Sequence, residues 1–199
     1  MVYTHTELNE LAEVLLRHPS VFILTDDIYE HIYWDNAPFK NILNVCPELY
    51  DRTLVLNGCS KAYAMTGWRI GYAAGPKEVM LAMSNIQSQS TSNPNSIAQF
   101  AAIAALTGNQ DCVQAMNKIY HQRHTFFSEG LNQIPGVHCL SAQGAFYCFP
   151  SFHNFIGNDK KFASDHELAN YLLNSANLAT VPGSAFGAPG YLRLSFALD

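Results

Sequence analysis

Two short apolar runs, each followed by small or polar residues, most constrain the fold of this chain. Residues 21–24 read VFIL and run into TDD, and residues 53–56 read TLVL and run into Asn57-Gly58. Short continuous runs of this kind are typical of strands that are covered on both faces in a parallel sheet. Functional groups of such a sheet gather in the loops that follow its strands. The pattern therefore predicts an α/β fold with polar loops at one edge of the sheet.

Helical patterns surround the two runs. Thr4 and Glu7 have the spacing of a capping box before an amphipathic segment that ends near residue 18, and residues 77–87 and 96–106 are also predicted to be helical. A long helix is predicted from about residue 109. Beyond it, short strand patterns at residues 137–140, 145–149 and 191–196 and a helix over 165–178 indicate a smaller α+β part.

These patterns predict three parts of the chain. Residues 1–108 form part of a large α/β domain with a mostly parallel sheet and flanking helices, residues 109–134 a long connecting helix, and residues 135–199 a small C-terminal α+β domain. The chain has 199 residues, 48% of them hydrophobic, which is enough for a sizeable core.

Charge and cysteine content exclude several classes of function. The formal net charge is −5, so the chain lacks the basic surface that nucleic acids or acidic lipids require, and no apolar segment is long enough to span a bilayer. Five cysteines without a Cys-x-x-Cys pair argue against a disulfide framework or a zinc cluster. His121 and His124 lie three apart on a predicted helix without a third ligand, so no metal site is predicted. Reduced thiols are typical of a cytoplasmic protein.

Lys61 has the surroundings of a reactive amine. Small residues precede it, and a largely apolar stretch that contains Arg69 follows it. Desolvation and a nearby cation favour the neutral form of a lysine, which can attack an aldehyde to form a Schiff base. Taken alone, a lysine after a Gly/Ser turn is more often a solvated loop charge.

The complete run over residues 57–72, NGCSKAYAMTGWRIGY, resembles the pyridoxal phosphate attachment signature of class I (fold type I) aminotransferases. A second shared stretch, QSQSTSNP at residues 87–94, is similar to the bacterial aspartate aminotransferase subgroup. The resemblance implies pyridoxal 5'-phosphate as cofactor. It also implies transfer of an amino group from an amino acid, aspartate or similar, to a 2-oxo acid such as 2-oxoglutarate, in a homodimer.

The resemblance assigns roles to residues in two of the loops. Lys61 would form the Schiff base and carry the proton, Asp26 would keep the pyridine nitrogen protonated, and Tyr29 would bond the phenolic oxygen of the ring. Acidic residues at a strand end otherwise serve as helix caps, a role we assign to Asp27.

Phosphate contacts are implied for Ser60 and Arg69, since a hydroxyl and a guanidinium can hold a phosphate dianion. A turn serine and a surface ion pair are the alternatives. Many members of the family have a second hydroxyl residue three positions before the lysine, where this chain has Gly58.

Arg193 interrupts an apolar alternation at residues 191–196 and is either paired within the protein or available to an anion. It resembles the arginine that binds the substrate α-carboxylate, and residues 144–147 and 181–187 resemble small-domain loops of the family. The likeness covers only the latter part of such an enzyme, so we interpret the chain as a fragment that is weakly active or inactive alone. The alternatives are a β-lyase or synthase of the same fold, and a non-catalytic or inert cofactor-binding fragment.

Overall fold

The structure of the protein, a computed structural model, describes residues 2–35 and 37–197. It divides into two compact units, one formed by residues 2–117 and the other beginning at residue 118. The domain boundaries predicted from sequence stay a prediction. The first residue of the first predicted part and the last residue of the third lie outside the described residues.

The first unit alternates helices and strands, as the apolar runs predict. Its elements are α1 (His5–Arg17), β1 (Ile23–Asp26), α2 (Ile42–Val45), β2 (Thr53–Gly58), β3 (Gly71–Ala74), α3 (Lys77–Ser88) and α4 (Ser96–Thr107). Helix α5 (Asp111–Asn132) begins in this unit and continues into the second. The capping box predicted for α1 is confirmed, with Thr4 N–H donating to Glu7 Oε2 at 2.7 Å and Glu7 N–H donating to Thr4 Oγ1 at 3.3 Å.

The sheet of the first unit has the order β1–β2–β3. Strands β1 and β2 are parallel, with Asp26 opposite Leu56, whereas β2 and β3 are antiparallel, with Gly58 opposite Gly71. The parallel pairing expected from the two apolar runs is confirmed. The expectation that β1 is covered on both faces is wrong for the described part of the chain, because Leu24 is 60% exposed and no element there packs over it.

Helix α1 packs against α2 and the 3-10 turn Pro47–Arg52. Arg52, at the end of that turn, holds the C-terminal end of α1: Nη2 donates to Leu15 O at 2.6 Å, and Nη1 donates to His18 O at 3.0 Å and to Val21 O at 2.6 Å. One guanidinium thus gives a charged donor to a carbonyl of the last helical turn, to the C-cap carbonyl and to the chain that follows.

Replacing Arg52 with alanine should therefore destabilise the first unit. We expect the free energy of unfolding to fall by about 2–3 kcal/mol, since hydrogen bonds to charged groups are lost together. Urea unfolding followed by circular dichroism would measure the change. Arg17→Ala is the matched control. Arg17 is exposed in the last turn of the same helix, so its replacement removes only a favourable interaction with the helix dipole of about 0.3–1 kcal/mol. Equal losses in the two variants would contradict the assignment.

The second unit contains the remaining elements: β4 (Tyr147–Cys148), α6 (Asp165–Ala176), β5 (Val181–Pro182) and β6 (Leu192–Ser195). Its sheet has the order β4–β6–β5 with antiparallel pairing throughout. Leu192 and Leu194 of β6 pack with Leu168 and Ala169 of α6 and with Phe162. The helix therefore covers one face of this sheet.

The strand predicted at residues 137–140 is wrong, and the structure shows the reason. That segment has a single bridge between His138 and Ser151. The side chain of Asn132 instead binds both backbone groups of Cys139, with Oδ1 accepting from N–H at 2.9 Å and Nδ2 donating to O at 2.8 Å. These two groups are therefore not available to a strand ladder.

None of the helices in the described ranges is long and apolar enough to cross a membrane. The five cysteines are free thiols. Within the same ranges no cluster of three or more His, Cys, Asp or Glu side chains could hold a metal ion.

Candidate active site

The loops that carry the candidate residues meet at one edge of the first sheet. Strand β1 ends at Asp26 and the parallel β2 ends at Gly58, so the carboxyl ends of both lie at the same edge. Strand β3 runs the opposite way and begins at Gly71, which pairs with Gly58. Asp26, the loop that holds Lys61, and Arg69 just before β3 are therefore brought to this edge by strand register alone.

Asp26 and Asp27 are adjacent in sequence but differ in environment. Asp27 is only 6% exposed, and its carboxylate accepts from Thr25 Oγ1 at 2.7 Å and from Asn41 Nδ2 at 2.5 Å. These two hydrogen bonds hold the side chain in the interior. The side chain of Asp26 is exposed at the sheet edge, where Oδ1 accepts from Ile28 N–H at 3.3 Å. The expectation that Asp27 provides the cap is thus wrong, since the bond to the following turn belongs to Asp26.

Tyr29 and Lys61 lie close to each other. After Asp27 the chain makes a turn in which Glu30 N–H donates to Asp27 O at 2.8 Å, and this turn carries Tyr29 towards the end of β2. Lys61 Nζ lies 5.8 Å from the centroid of the Tyr29 ring. Both side chains are half-buried. The structure therefore brings an amine and a phenol together across two loops that are about thirty residues apart in sequence.

A polar contact that sequence reasoning missed joins the same two loops. Asn57 Nδ2 donates to Glu30 Oε1 at 2.6 Å, and Gly58 N–H donates to Asn57 Oδ1 at 2.7 Å. His31 Nε2 lies 3.4 Å from the same Glu30 oxygen. Glu30 thereby connects the turn that holds Tyr29 to the strand that leads to Lys61. Only the polar residue at the end of an apolar strand gave a signal of this contact in the sequence.

The loop after β2 is anchored by its apolar residues. Cys59 and Met65 are buried against Ala102 of α4, and Ala62 is also buried, whereas Ser60 and Lys61 between them are half-buried. The structure thus fixes the backbone on either side of the lysine while part of its side chain stays accessible.

Gly58 ends β2 and Arg69 lies just before β3, at the point where the two strands pair. Arg69 is exposed, has left-handed backbone angles (φ 50°, ψ 49°) and donates from Nη1 to Thr66 O at 2.9 Å. At Gly58, a Cβ atom would lie 3.1 Å from Ile70 O and 3.2 Å from the Cα of Gly71. A side chain at residue 58 would therefore require β3 to shift by a few tenths of an ångström.

Arg193 lies in the second unit, on the central strand β6. Its guanidinium carbon is 4.6 Å from the centroid of the Tyr147 ring and 4.5 Å from that of Phe186. In residues 2–35 and 37–197 it has neither a carboxylate within ion-pair distance nor a hydrogen-bond acceptor. Of the two sequence-based alternatives, this environment favours a guanidinium that is available to an anion.

The segment that leads into β4 depends on a neutral histidine. His124 is buried, and its Nε2 accepts from Ala142 N–H at 3.0 Å, which a protonated ring cannot do. Burial, and to a smaller degree the nearby His121, lower the pKa of His124 from its ordinary value of 6.5. As the pH falls, the unfolded chain takes up a proton at this residue before the folded chain does, so acid favours unfolding.

We therefore expect the free energy of unfolding to decrease as the pH falls below 6.5, and His124→Gln to reduce this dependence because an amide stays neutral. Denaturant titrations at several pH values between about 5.5 and 8 would measure it. The same substitution at an exposed histidine, His5→Gln, provides the matched control. A slope that His124→Gln does not alter would contradict the structural role.

Comparison with known proteins identifies the family. The family model described as aminotransferase class I and II matches residues 1–199. The chain belongs to the class I and II aminotransferase family. Class I membership implies pyridoxal phosphate as cofactor, and the α/β fold predicted from sequence is confirmed by structural neighbours of the fold-type-I class.

The individual relatives are named as aspartate or aspartate/prephenate aminotransferases. The chain is 54% identical over 201 residues to an aspartate/prephenate aminotransferase from Nitrosomonas europaea, covering 98% of this chain and 51% of that protein. It is 47% identical to an aspartate aminotransferase from Geobacillus stearothermophilus, covering 99% and 50%. The crystal structure of an aspartate aminotransferase from Rhizobium meliloti superimposes with a TM-score of 0.92 at 45% identity, covering 99% and 50%. The chain thus spans about half the length of the curated relatives it matches.

Proposed function

We propose that this chain carries the lysine, the ring contacts and the substrate arginine of a pyridoxal phosphate-dependent aminotransferase that acts on aspartate and a 2-oxo acid. The observation that carries the proposal is the strand register, which brings Asp26, Lys61 and Arg69 to one edge of the sheet with Tyr29 5.8 Å from the lysine amine. A homodimer, implied by the resemblance, and 2-oxoglutarate as the acceptor belong to the same proposal.

The donor set of this edge suits the proposed cofactor. Lys61 offers an amine to an aldehyde, Asp26 an exposed carboxylate to a pyridine nitrogen, and Tyr29 a phenol beside the amine. Ser60 and Arg69 offer a hydroxyl and a guanidinium to a phosphate, which are the groups that such a dianion prefers. When bound, the cofactor supplies an electrophilic aldehyde and a ring that takes up the electron pair left at the substrate α carbon.

Each residue then has a separate task. Lys61 Nζ would be the point of covalent attachment and, once released, would carry the proton of the substrate α carbon. Asp26 holds a proton at the pyridine nitrogen, which requires a carboxylate that is not neutralised within the protein. Asp27 is less suited to this task, because it is buried and its oxygens already accept from Thr25 and Asn41. Arg193 binds the α-carboxylate of the amino acid through its planar fork of N–H donors.

Reductive trapping would test the attachment point. After incubation with pyridoxal phosphate and reduction with borohydride, peptide mass mapping should place a pyridoxyl adduct on Lys61. Lys77, which is exposed at the start of α3, provides the internal control for non-specific reaction of surface lysines. A preference for Lys77, or equal labelling of all lysines, would contradict the proposal.

Activity is best tested in a hybrid enzyme, in which this chain is joined to the part of the Nitrosomonas europaea relative that it does not match. The hybrid should transfer the amino group of labelled aspartate to 2-oxoglutarate, and prephenate should be assayed as a second acceptor because that relative is named for it. Release of ammonia or a β-substituent without amino transfer would indicate a lyase instead. This chain alone is expected to show negligible transamination above that of free pyridoxal phosphate.

A further inference from the structure

We propose that Tyr147 and Phe186 are positioning residues that keep the guanidinium of Arg193 open to a substrate carboxylate. The inference rests on the proposed role of Arg193 in binding that carboxylate. The two rings lie 4.6 Å and 4.5 Å from the guanidinium carbon, which is the range of a favourable cation–π contact.

Sheet topology places the two rings on opposite sides of the arginine strand. Tyr147 belongs to β4 and Phe186 follows β5, and β6 lies between these strands. Tyr147 pairs with Ser195, two residues from Arg193, so the tyrosine and the arginine share one face of the sheet. Leu192 and Leu194 point to the other face, which α6 covers. The guanidinium is thus flanked by aromatic groups on the face that the helix leaves open.

Phe186 is held in place by a buried carboxylate. Asp165, only 3% exposed, accepts from Ser184 N–H at 2.7 Å and so anchors the 3-10 turn Gly183–Phe186 to the start of α6. Burial acts to raise the pKa of Asp165, but the hydrogen bonds from Ser184 and from backbone N–H groups outweigh it and lower the pKa. A Cβ atom at Gly183 would collide with the backbone oxygen of Ala188, so only glycine fits at the start of this turn.

The chemistry of the two rings explains their suitability. An acidic neighbour would fix Arg193 by occupying the N–H donors that a substrate needs, whereas an aromatic face attracts the cation and accepts none of its in-plane hydrogen bonds. Within the described ranges no carboxylate pairs with Arg193. The rings therefore restrict the side chain before the substrate arrives and lower the entropy lost on binding.

Protection of Arg193 from chemical modification would test this inference. Phenylglyoxal reacts with accessible guanidinium groups, and peptide mass mapping of the 199-residue chain at micromolar concentration would follow Arg193 separately. Succinate serves as the carboxylate probe, sodium chloride of equal ionic strength as its control, and the exposed Arg17 as the internal reference. The succinate concentration that halves the reaction rate at Arg193 reports the affinity.

Removing either ring should weaken this protection. In Tyr147→Leu or Phe186→Leu we expect the half-protecting concentration to rise about threefold, the value of one partly exposed cation–π contact. Tyr147→Phe and Phe186→Tyr keep the ring and should stay within twofold of the original chain, which separates the ring from general disruption. Circular dichroism would verify that each variant is folded. If a leucine variant does not fold, the protection of Arg193 is compared between the original chain and the two ring-retaining variants.

The outcomes distinguish this inference from the proposed function. If succinate protects Arg193 equally in the original chain and in folded leucine variants, the positioning role is wrong and Arg193 remains the proposed carboxylate ligand. If succinate protects Arg193 no better than chloride does, the carboxylate role fails, and the positioning role fails with it. Loss of protection in the ring-retaining variants as well would also overturn the positioning role.

Discussion

Lys61→Ala should reduce kcat of the hybrid enzyme by at least about 10²–10⁴-fold, the usual contribution of a positioned proton-transfer group. The structure places the lysine amine beside Tyr29 in a loop whose backbone is fixed by buried Cys59 and Met65. Alanine at residue 61 should leave those anchors in place, so cofactor binding through the other contacts should remain measurable while turnover is lost. Steady-state kinetics and equilibrium dialysis of the cofactor would measure both quantities.

The control for this prediction is Lys77→Ala, which removes an exposed lysine at the start of α3. It should leave kcat within about twofold of the original value, because surface substitutions of this kind change little. If Lys61→Ala retained substantial turnover, the amine would not be the proton carrier. If it lost both turnover and fold, urea unfolding would reveal the loss of stability.

Regular features of the fold were predictable from sequence because each leaves a spacing or an apolar pattern in the chain. The capping box of α1, the parallel pairing of β1 with β2, and the positions of α3 and α4 follow from local spacing and apolar pattern. The strand expected at residues 137–140 was not, since the Asn132 side chain takes both backbone groups of Cys139. A contact between a side chain and the backbone seven residues away leaves no periodic signal.

The candidate site shows the same division. The sequence indicated Lys61 through its surroundings and Asp26 through its place at a strand end and its spacing from Tyr29, and the parallel strands then brought the two loops to one edge. It did not reveal that Asn57, the polar residue at the end of an apolar strand, binds Glu30, and it gave no sign of the rings at Arg193. The first contact and the one between Tyr147 and Arg193 join residues that are tens of positions apart, and Phe186 lies in a turn separate from the strand of Arg193, so only a folded chain reveals them.

Asp26→Asn is expected to lower kcat of the hybrid enzyme by about 10²–10³-fold or more, the magnitude found when a preorganised electrostatic contact in a transition state is removed. The amide keeps the shape of the side chain and can still accept from Ile28 N–H, but it carries no charge to hold a proton at the pyridine nitrogen. The affinity for aspartate should change less, because Arg193 is proposed to bind the α-carboxylate.

The adjacent Asp27 makes this prediction unusually specific. Asp27→Asn disturbs a buried carboxylate that accepts from Thr25 and Asn41, so it should lower the free energy of unfolding and change kcat far less than Asp26→Asn does. Two variants of one chemistry, one residue apart, are thus expected to affect different quantities. Kinetics and urea unfolding of both variants would separate them. If Asp27→Asn abolished turnover in a folded enzyme while Asp26→Asn did not, the buried residue would have to be the pyridine partner, and the exposed one only a turn cap.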